Sequence, residues 1–278
     1  MTNLEKISAE YRSHGIDKQI DYDKFYLYSI ITHSTAIEGS TITEIENQIM
    51  FEQGVTIKGK TIEEQMMNLD LKEAYELSMS SAQNHVMITP DFLCRLSAAV
   101  MKNTGKTYHT ALGEFSSSNG DLRLLNVTAG IGGKSYMNYN KVPERLQLFC
   151  NELNNLRNEA SSLTVQELYD LSFDAHLILV TIHPWADGNG RMARLLMNHL
   201  QFEFGLIPCV ILKEDKEDYI KVLVESREKD DMSIFRKFMS NMMIKNLRNE
   251  IDSFKSSMKE DLLSSDSWDF KKNKGLKK

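Results

Sequence analysis

Residues 181–198 read TIHPWADGNGRMARLLMN and predict two helices joined by a short loop that contains glycine. The first helix must end at Pro184, because the residue before a proline is pushed away from helical geometry. Gly188 and Gly190 permit left-handed backbone angles in the loop. A second helix begins near Gly190 or Arg191, where apolar residues resume at helical spacing. The segment therefore predicts a mainly α-helical domain around this junction.

The loop and the start of the second helix predict an anion site. Successive backbone amides around Gly188, Asn189 and Gly190 can point at one anion, and a helix N-terminus adds about half a positive charge. Arg191 and Arg194 project from one side of the first helical turn, because they are three residues apart. This arrangement is typical of a site that binds a polyphosphate.

Two further side chains predict chemistry on the bound phosphates. An imidazole ordinarily titrates near neutrality, so we expect His183 to be able to take a proton from an attacking hydroxyl. Asp187 offers a hard oxygen ligand to Mg²⁺, which usually binds one or two carboxylates together with substrate phosphates. Taken singly, a histidine is usually structural and DGNG is a common turn, but together these residues predict phosphoryl-group chemistry.

Residues 183–194, HPWADGNGRMAR, resemble the signature of the Fic family, H-P-F-x-[DE]-G-N-G-R-x-x-R, and depart from it only at Trp185. The resemblance extends over roughly residues 30–240. It implies a mainly α-helical bundle with a β-hairpin flap. It also implies a protein adenylyltransferase, which moves AMP from ATP onto the hydroxyl of a serine, threonine or tyrosine in a target protein.

The resemblance further implies a role for each residue of the signature. His183 would act as general base toward the target hydroxyl, which attacks the α-phosphorus so that pyrophosphate leaves. Asp187 would hold Mg²⁺, and Arg194 would bind the γ-phosphate. The α- and β-phosphates would lie on four residues, Gly188, Asn189, Gly190 and Arg191.

Residues 34–39, STAIEG, fit the inhibitory motif of the same family, [ST]-x-x-x-E-[GN], through Ser34, Glu38 and Gly39. In such relatives the glutamate pairs with the second arginine of the signature, which is Arg194 here. A carboxylate and a γ-phosphate compete for one guanidinium, so that Glu38 would inhibit the transfer of AMP. A serine N-cap followed by a glutamate would give the same letters.

The remaining pattern predicts further helices and one hairpin. Capping boxes at Thr43 with Glu46 and at Thr61 with Glu64 each indicate the start of a helix. A segment rich in glycine, serine and asparagine predicts a hairpin with strands at 122–127 and 135–139 around the turn TAGIGG. Helical spacing predicts helices over 89–103, 141–158, 164–182, 190–204, 214–228 and 231–262.

These elements divide the chain into three regions. Residues 1–110 form an N-terminal helical region with the inhibitory segment 34–39, and residues 241–278 form a C-terminal helix and polar tail. The core occupies residues 111–240, with a flap at 113–140 and the signature loop at 183–194. In the family this flap binds the target as an added strand.

Two features of the flap and core leave roles open. The family often carries an arginine where Ser116 stands here, so that the arginine is missing or displaced to Arg123. Tyr219 lies where relatives often have a tyrosine near the nucleotide, and it suits the core equally well.

Composition and charge indicate where in the cell the protein is expected and which classes of partner are excluded. The net charge of −6 argues against a nucleic-acid partner, because nucleic-acid-binding domains usually carry a basic surplus. The longest apolar run, residues 177–182, is too short to span a membrane, and the N-terminus lacks the apolar core of a signal peptide. The three scattered cysteines suit reduced thiols. We therefore expect a cytoplasmic protein, and a homodimer stays open because dimers are frequent among relatives.

Parts of the sequence match four other functions. Residues 54–61, GVTIKGKT, match the P-loop pattern, but that motif needs a preceding buried strand, and TEIENQIMFEQ has helical spacing. A Fic-like protein can instead hydrolyse AMP from its target, with Glu38 positioning water. It can also transfer another nucleotide or phospho-group. Finally, the loop can bind a nucleotide without chemistry.

Overall fold

The computed structural model describes residues 1–19, 22–128 and 135–272, and within these ranges lie ten α-helices and one two-stranded sheet. The mainly α-helical class that the sequence predicts is confirmed, and each helix predicted from residue 89 onward is present. The helices are α1 (Asn3–Ser13), α2 (Tyr22–Ile37), α3 (Glu44–Gln53), α4 (Ile62–Gln83), α5 (Pro90–Val100), α6 (Val142–Asn158), α7 (Val165–Ile182), α8 (Asn189–Glu203), α9 (Lys216–Lys229) and α10 (Met232–Lys272).

The chain divides into two compact units, one formed by residues 23–239 and the other by residues 1–22 with the chain from Ser240 onward. In the smaller unit, α1 begins at a capping box between Thr2 and Glu5. The Tyr11 hydroxyl donates to a carboxylate oxygen of Glu250 at 2.9 Å. The division at residues 110 and 240 that the sequence suggests stays a prediction.

Helix α8 is the central element of the larger unit. It packs against α4, α5 and α7, and almost its entire surface is buried. A helix that is buried all round forms a domain core, so that any group at its start is held by the core. The buried residues include polar ones, Asn189, Arg191, Arg194, Asn198, His199 and Gln201.

The polar side chains in the body of α8 have partners on neighbouring segments. Asn198 accepts a hydrogen bond from the Tyr75 hydroxyl at 2.7 Å and donates to the Cys209 carbonyl at 3.0 Å. Gln201 donates to the Ser172 hydroxyl at 3.0 Å. Buried polar groups are stabilising only when they are hydrogen-bonded, and these bonds fix α8 against α4 and α7.

Residues 54–61 form a loop between α3 and α4. The sequence predicts such a loop, because the residues before it have helical spacing and do not form a strand. Both capping boxes are present, with Thr43 starting α3 and Thr61 starting α4. Helix α3 ends at Gly54, whose φ is 66°. The Lys60 ammonium donates to the Thr41 carbonyl at 2.7 Å. The P-loop alternative is therefore wrong, because a helix precedes the motif and its lysine is bound to the chain itself.

The hairpin that the sequence predicts at 122–127 and 135–139 is wrong in its strand positions. The paired strands are β1 (Thr107–Thr110) and β2 (Gly113–Ser116), which are antiparallel. Of the predicted hairpin, the described residues retain one bridge, Thr128 with Ser135. Residues 129–134, which hold most of the predicted turn, lie outside the described residues.

Beyond this bridge and the adjoining bond from the Tyr136 amide to the Val127 carbonyl at 3.0 Å, side chains take the place of strand pairing in these two segments. The Arg123 guanidinium donates to the carbonyls of Leu125 at 2.7 Å and Met137 at 2.5 Å. The side-chain oxygen of Asn126 accepts from the Tyr139 backbone amide at 3.1 Å. These backbone groups are therefore bonded to side chains rather than to a partner strand.

Candidate active site

His183 lies at the junction between α7 and the glycine loop. Its backbone is left-handed, with φ 53° and ψ 62°, and its amide donates to the Leu179 carbonyl at 3.0 Å. Pro184 follows directly, so that α7 ends at Ile182, as the sequence predicts. A left-handed conformation at a non-glycine residue is uncommon and is often found at functional sites.

The imidazole of His183 has the protonation state that a general base needs. Its Nδ1 lies 3.2 Å from the Val180 carbonyl. A carbonyl oxygen only accepts, so that Nδ1 carries the proton of the neutral ring and Nε2 keeps its lone pair. Burial lowers the pKa of His183 to about 4, with the Val180 bond opposing and the charges of Arg123 and Arg227 assisting. The ring is therefore neutral at pH 7.

Trp185 and Asn189 fix the shape of the loop. The Asn189 side chain accepts from the Trp185 amide at 3.1 Å and donates to the Trp185 carbonyl at 2.9 Å. The buried indole donates from Nε1 to the Gly120 carbonyl at 3.0 Å. Tryptophan in place of the usual phenylalanine is thus accommodated by one added hydrogen bond, and the Asn189 side chain holds the loop.

The start of α8 leaves no room for side chains beyond those present. Gly188 caps the helix with φ 80°, and a Cβ there would lie 2.8 Å from the Met101 sulfur. A Cβ on Gly190 would lie 2.9 Å from Oε1 of Glu38. The first amides of a helix lack an intrahelical acceptor, so the Glu38 carboxylate lies at an anion-binding helix terminus.

Arg191 is buried with part of its guanidinium unbonded. One nitrogen donates to the Met101 sulfur at 3.1 Å and lies 3.7 Å from the Asp187 carboxylate. The Nε and Nη1 atoms find no partner among the residues that the structure describes. Buried donors without acceptors are costly, so this side chain is suited to an anionic ligand that supplies the missing acceptors.

Arg194 is bound by residues in the last turn of α2 and just after it. Its Nε donates to the Ser34 hydroxyl at 2.8 Å, and its Nη2 donates to the Ser34 carbonyl at 3.1 Å and to Glu38 at 2.6 Å. Ser34 lies in the last turn of α2, so the N-cap alternative is wrong. Gly39 follows with φ 109°, a conformation that favours glycine. The structure thus brings residues 34–39 onto the second arginine of the signature.

Electrostatics keep the Glu38 carboxylate charged in this position. Burial acts to raise its pKa, but the Arg194 charge and hydrogen bond outweigh burial and hold the pKa below its usual value. Arg191 and Lys216 contribute in the same direction. The pair is therefore ionic at neutral pH, which strengthens its hydrogen bond.

Asp187 lies at the open side of the loop and suits a magnesium ion that is shared with phosphates. Its side chain is 55% exposed, and it accepts the Gly188 amide at 2.6 Å. The described part of the chain contains no group of three or more histidine, cysteine or acidic residues that could hold a metal. One carboxylate beside an anion site fits Mg²⁺, which usually keeps few protein ligands and takes the rest from phosphate and water.

Two residues from another segment contact His183, and a third lies behind one of them. Arg123 is buried, and its Nε donates to the His183 carbonyl at 2.7 Å. The ring of Tyr136 stacks on the His183 ring, with centroids 3.7 Å apart and planes 19° apart. The Arg227 guanidinium lies 4.1 Å from the centroid of the Tyr136 ring. His183 is therefore in contact with the segment that holds Arg123 and Tyr136 and, through Tyr136, with α9.

Comparison with known proteins identifies this arrangement. Residues 87–201 match the model of the Fic/DOC family, a range that contains His183, the glycine loop and both arginines. The chain belongs to the Fic family. Two relatives are named protein adenylyltransferases: fic-1 of Caenorhabditis elegans, 25% identical over 88% of this chain, and Fic of Nematostella vectensis, 30% identical over 72%. The chain spans 45% and 43% of their respective lengths.

Solved Fic structures share the fold. Fic-1 from Caenorhabditis elegans matches with a TM-score of 0.73 and 22% identity, covering 91% of this chain and 71% of that one. A Fic-domain signalling protein from Bacteroides thetaiotaomicron matches with a TM-score of 0.75 and 21% identity, covering 92% and 97%. These likenesses show that the helical arrangement around the Fic signature is the family's arrangement.

The structure brings the signature residues and segment 34–39 together, and their roles stay predictions. Tyr136 and Arg227 lie beside them but carry no motif that would have marked them. Tyr219 is fully buried, with its hydroxyl 2.9 Å from Nε2 of His176, so it is a core residue that also hydrogen-bonds Arg194. Within the described residues, no helix has the length and apolar character that crossing a membrane requires.

Proposed function

We propose that this Fic protein transfers AMP from ATP to a hydroxyl side chain of a target protein, and that Glu38 inhibits the transfer. The observation that carries the proposal is the 2.6 Å contact between Glu38 and Arg194 at the start of α8. Beside it lies Arg191, whose two unbonded nitrogens need an acceptor. A triphosphate satisfies both arginines and the helix amides, and the names of the relatives support AMP as the transferred group.

The proposed reaction is an in-line displacement at the α-phosphorus. The α- and β-phosphates lie on the amides of 188–190 and on Arg191, and the γ-phosphate lies on Arg194. The target serine, threonine or tyrosine gives its proton to Nε2 of His183, and its oxygen bonds to the α-phosphorus. The bond from the α-phosphorus to the oxygen bridging to the β-phosphate breaks, and pyrophosphate leaves. Asp187 would hold Mg²⁺, which supplies charge stabilisation to the phosphate oxygens.

Inhibition follows from competition for one side chain. The Arg194 guanidinium cannot bind the Glu38 carboxylate and the γ-phosphate at once. Because the pKa of Glu38 is held low, the carboxylate stays charged and bound throughout the physiological pH range. Removal of Glu38 should therefore free Arg194 without disturbing the base.

The proposal is tested by transfer of labelled AMP from ATP, in the presence of Mg²⁺, to the protein itself or to proteins of a cell lysate. Glu38→Gly should raise the transfer rate by roughly 5- to 150-fold, the range of a typical coupling free energy. Adding His183→Ala to Glu38→Gly should lower the transfer rate about 100-fold or more. ATP binding should be retained, because the base touches no phosphate. Lys60→Ala is the matched control and should change neither quantity. Transfer that survives His183→Ala would contradict the mechanism.

A companion assay separates addition of AMP from its removal. A target that already carries AMP is incubated with wild-type protein and with Glu38→Gly. Loss of AMP removal in the variant would assign hydrolysis, with Glu38 positioning water, instead of inhibition. Replacing labelled ATP by other nucleotides in the first assay tests the identity of the transferred group.

A further inference from the structure

The three-layer stack of Arg227, Tyr136 and His183 has no role in the transfer step as proposed above. The Tyr136 and His183 rings are nearly parallel, with centroids 3.7 Å apart. The Arg227 guanidinium lies 4.1 Å from the centroid of the Tyr136 ring. A cation over an aromatic ring is stabilising, so Arg227 holds Tyr136 and Tyr136 covers one face of the imidazole.

Backbone contacts hold the stack in place on the side of the flap. The Tyr136 amide donates to the Val127 carbonyl at 3.0 Å. The Arg123 guanidinium bonds both the Met137 carbonyl at 2.5 Å and the His183 carbonyl at 2.7 Å. One buried side chain therefore ties the residue after Tyr136 to the backbone of the base itself. The rings meet because the two chain segments are joined.

We infer that Tyr136 and Arg227 are positioning residues for the His183 base. The Val180 carbonyl holds Nδ1, and Tyr136 limits rotation of the ring by covering its face. These two constraints direct Nε2 to one position, where the target hydroxyl must arrive. A base that is fixed in this way loses less orientational entropy in the transfer step. The inference rests on the proposed function, because it assigns His183 the role of base.

The same stack places a charge near the base. Among the described residues, the charged and titratable groups around His183 are Arg123, which donates to its carbonyl, Tyr136, which stacks on its ring, and Arg227, which lies against Tyr136. Both arginines disfavour a second positive charge on the imidazole. Arg227 therefore helps to keep the ring neutral before the hydroxyl arrives, in addition to holding Tyr136.

A spectroscopic experiment tests the stack without any transfer. Ring protons of His183 that lie over Tyr136 are shielded by its aromatic ring. In NMR spectra of the full chain, Tyr136→Leu should move the His183 ring resonances downfield. Tyr139→Leu is the matched control, since it removes a tyrosine three residues away and should leave them in place. If the His183 ring resonances of Tyr136→Leu stay where they are in the wild type, the two rings are not stacked in solution.

Kinetics in the Glu38→Gly background test the positioning role. Tyr136→Leu should lower kcat by roughly tenfold, within the contribution of a general base, and leave the KM for ATP unchanged. Tyr136→Phe keeps the ring and should retain kcat. Arg227→Gln should shift the acidic limb of the pH–rate profile to higher pH, because a charge that opposes protonation is lost. Lys229→Gln removes a charge from the same helix and should cause no shift.

The outcomes separate this inference from the function on which it rests. If Glu38→Gly transfers AMP and Tyr136→Leu in that background matches it in kcat, the positioning role is wrong and the proposed function stands. If Glu38→Gly transfers no labelled group, the proposed function fails and the positioning role fails with it. In that case the NMR comparison still decides whether the rings are stacked.

Discussion

Ser34 and Glu38 together offer three oxygens to the Arg194 guanidinium, two from Ser34 and one from Glu38. Its side chain is 4% exposed, whereas that of Glu38 is 34% exposed. The arginine is therefore fixed by the core of the domain, and the glutamate approaches from the solvent side. This asymmetry suits a replaceable partner, since a ligand can displace Glu38 without moving Arg194.

Ser34 contributes to the same contact, and its removal should weaken inhibition in part. In Ser34→Ala the Arg194 Nε loses its acceptor, while the Glu38 pair remains. Such a loss corresponds to a rise in transfer rate of about two- to tenfold, which is smaller than that of Glu38→Gly. The labelled-AMP assay measures this rise, with Ser29→Ala on the same helix as control. A rate for Ser34→Ala equal to that of wild type would show that the serine plays no part.

At the scale of elements, a buried polar network fixes the end of α2 against α3 and α4. Asn68 of α4 lies at its centre and accepts from the Thr35 hydroxyl at 2.9 Å and from the Asn47 side chain at 3.0 Å. Asn68 also donates to the Ser40 hydroxyl at 3.1 Å. All four side chains are buried, and Thr35 and Ser40 flank Glu38 on either side. The position of the Glu38 carboxylate is therefore set by two other helices.

Asn68→Ala should loosen this end of α2 and partly relieve inhibition. The change removes the hydrogen bonds of Asn68 to Thr35, Asn47 and Ser40, although the Thr35 hydroxyl keeps the Ile31 carbonyl at 2.9 Å and the Asn47 side chain keeps the Thr32 hydroxyl at 2.7 Å. The loss of these bonds should cost about 1–3 kcal/mol in the free energy of unfolding. Denaturant unfolding measures that cost, and the labelled-AMP assay should show a higher rate than wild type. Asn151→Ala, an exposed asparagine on α6, should change neither. A destabilised protein with wild-type transfer would mean that the network stabilises the fold alone.

The helices could be predicted from residues close together in the sequence. The features that the sequence did not predict depend on contacts between distant residues. The capping boxes at Thr43 and Thr61 depend on residues three apart, and both are present. The strands expected at 122–127 and 135–139 are absent because Arg123 bonds carbonyls at positions 125 and 137. The spacing of the signature alone brings His183 and the two arginines to one loop. Tyr136 reaches the His183 ring, and Arg227 reaches Tyr136, from distant parts of the chain, and no local pattern encodes these contacts.

At the scale of the whole domain, buried neutral histidines link stability to pH. Burial lowers the pKa of His176 to about 3 and that of His199 to about 4. In the unfolded chain both titrate near 6.5, so the unfolded state binds more protons between that pH and about 4. Their full contribution to stability is therefore present above pH 6.5 and is lost progressively as the pH falls toward about 4.

Unfolding by denaturant at pH 7 and pH 5 tests this linkage. The free energy of unfolding should fall by about 2 kcal/mol for each of these two histidines, and His183, whose pKa burial also lowers to about 4, should add a similar loss. His199→Gln should lose less stability than wild type over the same interval, because one of these groups no longer titrates. His109→Gln, at an exposed position on β1, should behave as wild type. An equal loss in all three proteins would assign the acid sensitivity to other groups.

The buried indole beneath the glycine loop also gives the molecule an optical reporter. The sequence contains two tryptophans, Trp185 and Trp268. Replacing the second with phenylalanine would leave fluorescence from the first alone, and its emission would come from an indole enclosed by protein and bonded to the Gly120 carbonyl. A change in the wavelength or intensity of that emission would then record, in real time and without a label, whether nucleotide reshapes the loop above it.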